Sequence, residues 1–359
     1  MNISKIFSDE KVNTGRQVEL DIAKALAIIF MIFLHTIMVV QGYNAGLSST
    51  YSFIFGNVLG RPYAAVVFMF CMGVGVVYSR HSQWDTMIKR GVKLYLTGVL
   101  VNVFEYFVPF FLAGSLGLDA TPFNIYGGLV LFVVDILAFA GMAFVLMGIL
   151  KKFELSNKKM IIVAVALSLL GTLLRFTDFG IPVVNLITGH LFGTKFTAFP
   201  LFNWFIFPIA GYVWGQYFIR AKDKSEFFKF WPILMIVSLI YFFVSSKLWG
   251  GVFSKDVHLY YFMNTLDAVF CIINAHAVIG LCYWLAKFLP DAVVKIFSML
   301  SSNINNIYIA QWFFIPVTVL LITYLARGLV LNDLISAIIS IVMLIISTAA
   351  ALGYKKLRT

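Results

Sequence analysis

Residues 20–35 read LDIAKALAIIFMIFLH and open an apolar run that continues to residue 42. A helix needs about 20 mostly apolar residues to cross ~30 Å of hydrocarbon, so this run predicts a transmembrane helix. The run is long for a secretory signal, and no small-residue cleavage site follows it. We therefore expect it to remain in the protein as the first transmembrane helix.

The whole chain has the composition of a membrane protein. Of its 359 residues, 61% are hydrophobic and only 12% are charged, and the mean hydropathy is +0.93. Soluble domains carry about 25% charged residues, so this composition excludes them, and it also excludes disordered and disulfide-built chains. The three cysteines, Cys71, Cys271 and Cys282, fall inside apolar runs and form no CxxC or Cys/His cluster, so we expect no metal.

Ten apolar runs predict an all-α fold, a polytopic transmembrane helix bundle of about ten spans. They cover roughly residues 20–42, 62–79, 92–113, 126–150, 160–175, 200–219, 230–248, 260–286, 303–326 and 332–353. No soluble domain, low-complexity tract or internal repeat is visible between them. We therefore expect a single integral-membrane domain over residues 1–359, with residues 1–19 as an N-terminal tail.

The distribution of positive charge predicts the orientation of this bundle. The loops on one side hold only Arg61, Arg175, Lys195, Lys247, Lys255 and Arg327, and the other 21 of the 27 Lys and Arg residues belong to the side of the termini. Cytoplasmic loops are enriched in Lys and Arg, so both termini are predicted to be cytoplasmic. The net charge of +11 then reflects topology rather than a nucleic-acid partner. A multi-pass protein of the bacterial cytoplasmic (inner) membrane is the expected localisation, in contact with membrane lipid.

Two polar side chains lie on one stripe of the first span. Lys24 and His35 are eleven residues apart, which at 100° per residue puts both on the same face, about 16 Å apart along the axis. Asp21 falls on nearly the same face. This geometry suits an extended ligand with an anionic head at Lys24 and a reacting end at His35, as in acyl-coenzyme A. The alternatives are a Lys24 that snorkels to the interface and a neutral His35 that only joins two helices.

Further ionisable groups in the spans mark candidate partners for His35. A charged group at the bilayer centre costs at least ~2.5–3.5 kcal/mol, so Glu105, Asp135 and Asp267 each need a reason to be there. Glu105 or Asp267 would orient His35 and stabilise its protonated form, a choice that the spacing leaves open. Arg90, just before the third span, is either a phosphate clamp beside Lys24 or simply part of the basic loop.

Several stretches resemble known membrane acyltransferases. The Lys24-x10-His35 element is similar to an Arg-x10-His pattern in the acyltransferase type three family, and residues 64–79 and 88–98 continue that likeness. Residues 134–148, 199–216 and 301–315 resemble bacterial relatives of heparan-α-glucosaminide N-acetyltransferases. Two departures stand out: Lys24 replaces an Arg, and Gln311 stands where many type three members have a His.

The resemblance implies roles for individual residues. His35 would be the catalytic histidine, and Lys24 and Arg90 would bind the phosphates of acyl-coenzyme A. Asp135 and Gln311 are predicted to contact substrate. The leading hypothesis is an O-acetyltransferase that moves acetyl from cytoplasmic acetyl-CoA to a glycan or glycolipid of the cell envelope, with His35 as general base.

Two other hypotheses come from different classes of protein. A proton-coupled transporter or lipid flippase would use the spans' three carboxylates as coupling groups, but it is expected to carry inverted repeats and paired broken helices. A non-catalytic membrane scaffold would leave the common face of Lys24 and His35 as coincidence. The acceptor, the acyl chain and the oligomeric state are not determined by the sequence.

Overall fold

The computed structural model describes residues 6–124, 127–194 and 197–358, and it is almost entirely helical. The predicted all-α polytopic bundle is confirmed. Two cations from the charge count, Lys5 and Lys195, lie outside the described residues. The principal helices are Val18–Val40 (α1), Ser49–Tyr78 (α2), Trp84–Ser115 (α3), Ile136–Lys152 (α4), Asn157–Leu174 (α5), 201–218 with a break at residue 205 (α6), Trp231–Leu248 (α7), Thr265–Ala286 (α8), Asp291–Ser302 (α9), Ile304–Leu325 (α10) and Asp333–Arg358 (α11).

Helix α1 begins and ends where its sequence favours it. Glu19 and Asp21 lie in the first turn, where carboxylates interact favourably with the positive end of the helix dipole. The apolar residues that follow form a helix of 23 residues, which ends at Val40 before Gln41 and Gly42. Much of α1 is buried inside the protein, so it is a central helix rather than a lipid-facing one.

Eight helices among the described residues are long and apolar enough to cross a membrane, and all eight coincide with predicted runs. The fourth and sixth of the ten predicted runs differ. Helix α4 has 17 residues, and α6 is divided into segments of four and 13 residues. Both are enclosed by the other helices, as the fully buried Phe139 and Phe207 indicate. A helix that does not face lipid is free to be short, because neighbouring protein satisfies its backbone.

Two of the long helices contain π-helical turns. In α2 the π segment covers Ser52–Ala65 and includes Pro62, and in α3 it covers Val103–Phe107. Such turns are rare in proteins as a whole, but those that occur are often found at functional sites. The extra residue in the turn redirects the side chains that follow it. Glu105 lies within the shorter π segment.

Close helix packing holds α2, α3, α4 and α6 together. Gly91 of α3 faces the backbone of Gly141 in α4, and a Cβ at Gly91 would lie 2.6 Å from the Gly141 carbonyl oxygen. Gly73 of α2 and Gly211 of α6 allow an equally close approach between those two helices. Small residues let backbones pack tightly in membrane proteins, where van der Waals contact drives association.

Contacts between connections define the two ends of the bundle. At one end, which we call the basic end, Lys224 Nζ binds Glu19 Oε1 at 2.6 Å and Asn157 Nδ2 donates to Gln216 Oε1 at 2.7 Å. At the opposite end, the far end, Ser48 Oγ donates to Asp333 Oδ2 at 2.6 Å. Two-residue strands there, Ala45–Gly46 (β1) and Leu331–Asn332 (β2), pair in parallel with Ala45 opposite Leu331.

Candidate functional site

A cavity of about 1090 Å³ opens among α1, α2, α3, α4, α10 and α11 in the half of the bundle near the basic end. Its polar lining combines cationic groups with amides and hydroxyls: Lys24, Ser79, His81, Ser82, Arg90, Lys93, Thr97, Asn305, Asn306 and Tyr354. The remaining wall is largely apolar. A cavity of this kind suits a ligand with an anionic part and a long, weakly polar part.

Lys24 and Arg90 face this one cavity. Lys24 Nζ lies 3.4 Å from Asp21 Oδ1, and the side chain of Asp21 is buried. Asp21 also accepts hydrogen bonds from Arg16 and from Ser301 of α9, so its charge is compensated without Lys24. Lys24 therefore presents its ammonium at an internal cavity rather than extending it along lipid. The Arg90 guanidinium lies 5.2 Å from the centre of the Phe144 ring, at the distance of a cation–π contact.

His35 lines a second, smaller cavity of about 60 Å³. Its ring stacks on Trp312 with the ring centres 4.2 Å apart and the planes at 28°, and the Tyr308 ring meets it edge-on at 6.1 Å. The Nδ1 atom of His35 is buried and has no hydrogen-bond partner among the described residues. The remaining lining is mostly apolar and aromatic, including Phe199, Tyr260 and Tyr261.

The two cavities follow one another between the same helices. Phe104 lines the large cavity and the adjacent Glu105 lines the small one. Leu137 and Ile136 of α4 are divided in the same way. The Lys24–His35 stripe of α1 therefore faces the protein interior along its length, with a basic cavity at one end of the stripe and the imidazole at the other.

Two buried carboxylates share the small cavity with His35. The Tyr308 hydroxyl donates to Asp135 Oδ2, and Glu105 lies close enough to Asp135 for their charges to interact. Glu105 Oε2 has no hydrogen-bond partner in the described parts of the chain. Asn102, one turn before Glu105, donates to the backbone oxygens of Leu131 and Val133 and so holds the segment that leads to Asp135.

The structure does not bring Asp267 to His35. Its Oδ1 atom accepts hydrogen bonds from Tyr241 Oη at 2.8 Å and from Trp249 Nε1 at 3.4 Å, and it lines neither cavity. Sequence spacing placed Asp267 in the same half of the membrane as His35, but depth alone does not determine which helices are neighbours. Asp267 joins α8 to α7 and to the turn after α7.

Gln311 lies on α10 beside Trp312. Its amide is fully buried, and neither its Nε2 nor its Oε1 atom has a hydrogen-bond partner within the described residues. The amide interacts with the His35 ring, but no hydrogen bond of ordinary geometry joins the two side chains. Gln311 lines neither cavity, and leaving a buried amide unpaired costs about 1–3 kcal/mol per polar group.

His276 and His190 both have structural contacts. His276 Nδ1 accepts from Trp214 Nε1 at 2.9 Å inside an aromatic cluster. His190, outside the membrane-spanning helices, bonds through Nδ1 to Leu186 O and through Nε2 to Tyr95 Oη, each at 2.8 Å. Burial lowers the pKa of His190, while its backbone hydrogen bond acts in the opposite direction. These contacts indicate that His190 fixes its loop and is not directed at a ligand.

Sequence reasoning missed the aromatic wall around His35. Tyr308 and Trp312 are four residues apart and so share a face of α10, which is the only sequence signal they carry. Tyr260 and Tyr261 lie in and beside a short helix, Val257–Tyr261, in the connection between α7 and α8, where no periodicity identifies them. Among residues 6–124, 127–194 and 197–358, no group of three or more His, Cys, Asp or Glu side chains is arranged to hold a metal ion.

The fold and the two cavities define a multi-pass membrane protein with a basic cavity next to a smaller cavity that a histidine lines. Comparison with known families shows which family the chain belongs to. The family model described as heparan-alpha-glucosaminide N-acetyltransferase, catalytic, matches residues 16–249, about two-thirds of the chain. The chain therefore belongs to this family of integral-membrane acetyltransferases. No curated protein and no solved structure matched the chain.

The matched region contains Lys24, His35, Arg90, Glu105 and Asp135. It ends before α8 and α10, which carry Asp267 and Gln311. Of the two resemblances noted in the sequence, the one to the N-acetyltransferase relatives is confirmed, whereas membership of the acyltransferase type three family is not shown. An acetyl group derived from acetyl-CoA is what enzymes of this type transfer.

Proposed function

We propose that this protein takes acetyl from cytoplasmic acetyl-CoA and transfers it to a hydroxyl of a glycan or glycolipid of the bacterial cell envelope. The observation that carries the proposal is the succession of two cavities between the same helices. The larger is lined by Lys24 and Arg90, and the smaller by His35. The family of the chain supplies the reaction class.

The large cavity is the proposed site for the coenzyme A part of the donor. Lys24, Arg90 and Lys93 supply positive charge for its phosphates, and Arg binds phosphate through two parallel hydrogen bonds. The pantetheine arm would then run along α1 towards His35. The axial distance of about 16 Å from Lys24 to His35 matches an extended arm, which brings the thioester to the imidazole.

His35 is the proposed general base. It accepts the proton of the acceptor hydroxyl as the hydroxyl oxygen attacks the thioester carbonyl carbon. A new C–O bond forms, the C–S bond breaks, and the thiolate of coenzyme A takes the proton back from the imidazolium. The products are the acetyl ester and free coenzyme A, and no other reactant is needed.

The carboxylates near His35 support this step electrostatically. Asp135 is held by Tyr308 and Glu105 has an unpartnered oxygen on the cavity, so one or both would favour the imidazolium that forms during attack. Asp135 and Gln311 are also the proposed contacts for the substrates. Asp267 is not part of this proposal, because it is bound to Tyr241 and Trp249.

The acceptor is proposed to arrive from the far end, which the cation distribution assigns to the outside of the cell. Phe199, Tyr260 and Tyr261 form the aromatic lining of the small cavity. Aromatic faces next to carboxylates suit a sugar, with apolar C–H surface and hydroxyl groups on one molecule. The transporter hypothesis gains no support, because Glu105 and Asp135 lie in the region that matches an acetyltransferase family.

Binding of acetyl-CoA to the purified protein tests the donor site. Lys24→Met and Arg90→Met should each weaken binding about 10- to 100-fold, since a hydrogen bond to a charged group contributes ~1.5–3 kcal/mol. Lys89→Met is the matched control, because Lys89 is 81% exposed and does not line the cavity. Unchanged affinity in both cavity variants would contradict the phosphate clamp.

Acetyl transfer tests the base. His35→Ala should bind acetyl-CoA normally and transfer acetyl about 10²- to 10⁴-fold more slowly, the usual contribution of a positioned base. His276→Ala is the comparison variant, because His276 is buried away from both cavities. Envelope glycans and a matching amino sugar should be offered in parallel, so that transfer to nitrogen instead of oxygen is detected. A folded His35→Ala protein with wild-type turnover would contradict the mechanism.

A further inference from the structure

A general base needs a partner that fixes its ring, and His35 lacks the usual one. In most sites of this type the second ring nitrogen donates to a carboxylate or a carbonyl oxygen. Here Nδ1 of His35 is buried without a hydrogen-bond partner in the part of the chain that is described. Asp267 is bound elsewhere, and Glu105 Oε2 is itself unpartnered. Gln311 interacts with the ring, but without a hydrogen bond of ordinary geometry, which leaves the ring's other neighbours on α10 as candidates for the contact that holds it.

Trp312 makes that contact. Its indole lies nearly parallel to the His35 ring, with ring centres 4.2 Å apart and an interplanar angle of 28°. Trp312 is only 4% exposed and lines the same small cavity, so its ring has little freedom to move. The pair is therefore a buried stack between α1 and α10, and not a chance contact at the protein surface.

Tyr308 fixes the stack from the side. It lies one turn before Trp312 on α10, its ring meets His35 edge-on, and its hydroxyl donates to Asp135. The tyrosine is fully buried as well. Helix α10 thus confines the imidazole on two sides, by a stacked face and by an edge.

We propose that Trp312 is the positioning residue of His35: it holds the imidazole by stacking and stabilises the imidazolium formed during acetyl transfer. This inference rests on the proposed function, because it takes His35 as the base. An indole face attracts a cation, and the interaction energy of a desolvated cation–π contact is large enough to change a rate about tenfold. The matched family region ends at residue 249, so Trp312 lies outside the part of the chain that defines the family.

The test compares two replacements of Trp312 in the full-length protein, with acetyl-CoA as donor. Trp312→Phe keeps a stacked ring and should retain kcat within about threefold. Trp312→Met fills space without a ring and should lower kcat about tenfold or more, with KM for acetyl-CoA changed less than twofold. Phe313→Met is the control on the next residue of α10, because Phe313 is 40% exposed and lines neither cavity. A purely structural role would lower expression and stability without this separation of kcat from KM.

A second readout does not depend on activity. Replacing His35 by Leu should change the fluorescence of the protein, because Trp312 loses a stacked imidazole, and the change should be absent in a Trp312→Phe background. Wild-type kcat in Trp312→Met, or an equal fluorescence change in both backgrounds, would overturn the proposal. So would a large loss of kcat in Gln311→Met with none in Trp312→Met, since Gln311 would then hold the ring. If His35→Ala itself retains full activity, it is the proposed function that has failed.

Discussion

The close approach of α2 and α6 leads to a sharp prediction, because two glycines of one helix differ only in what surrounds them. A Cβ at Gly73 would collide with the Pro208 carbonyl oxygen, whereas a Cβ at Gly75 meets nothing within 4 Å. Both substitutions to Ala bring the same gain in helix propensity, about 0.5–1 kcal/mol. The difference between the two variants therefore isolates the helix contact.

The magnitude follows from the distances. The atom facing Gly73 is backbone and cannot rotate away, so α2 and α6 must separate by on the order of 1 Å to reach ordinary contact, which forfeits dispersion along the pair. Overpacking of this kind costs ~1–3 kcal/mol or more. After the gain in helix propensity is subtracted, Gly73→Ala should lower the free energy of unfolding by about 2 kcal/mol, and Gly75→Ala should leave it equal or slightly higher.

Thermal unfolding in detergent measures the effect. We expect Gly73→Ala to lower the apparent Tm by roughly 3 °C, and Gly75→Ala to keep it at or above the wild-type value. Acetyl-CoA affinity should also fall in Gly73→Ala, because α2 lines both cavities. Equal Tm values in the two variants would show that α2 and α6 do not pack as described.

Two further predictions concern Asp267 and the orientation of the bundle. Asp267→Ala should lower the free energy of unfolding by about 1–3 kcal/mol, because Tyr241 and Trp249 lose their hydrogen-bond acceptor. The kcat of the folded variant should stay within twofold of the wild-type value. A loss of kcat comparable to that of His35→Ala would return Asp267 to the active site. For orientation, Lys158→Cys at the basic end and Lys255→Cys at the far end are both exposed, whereas the native cysteines are buried. A membrane-impermeant maleimide added to intact cells should label only position 255, and labelling of position 158 would reverse the proposed topology.

The first span illustrates how far sequence reasoning reaches. Its length and hydropathy predict a spanning helix, and the eleven-residue interval between Lys24 and His35 predicts a shared face. Both quantities are local, since they depend on the rise and rotation of one helix. In the fourth and sixth runs the helices are shorter or divided, which local hydropathy does not predict and which enclosure by other helices permits.

Neighbours across helices were decided by tertiary packing. The sequence by itself determined a bundle of membrane helices, an excess of Lys and Arg in the loops on one side, and a lysine and a histidine on one face of the first span. Only the folded structure determined that Arg90 joins Lys24 at one cavity, that Glu105 and Asp135 rather than Asp267 accompany His35, and that Trp312 covers its ring. Sequence spacing specifies the depth of a residue in the membrane and the face of the helix on which it lies. Which helices become neighbours depends on how their apolar surfaces pack, and each of these surfaces is apolar enough to pack against many others.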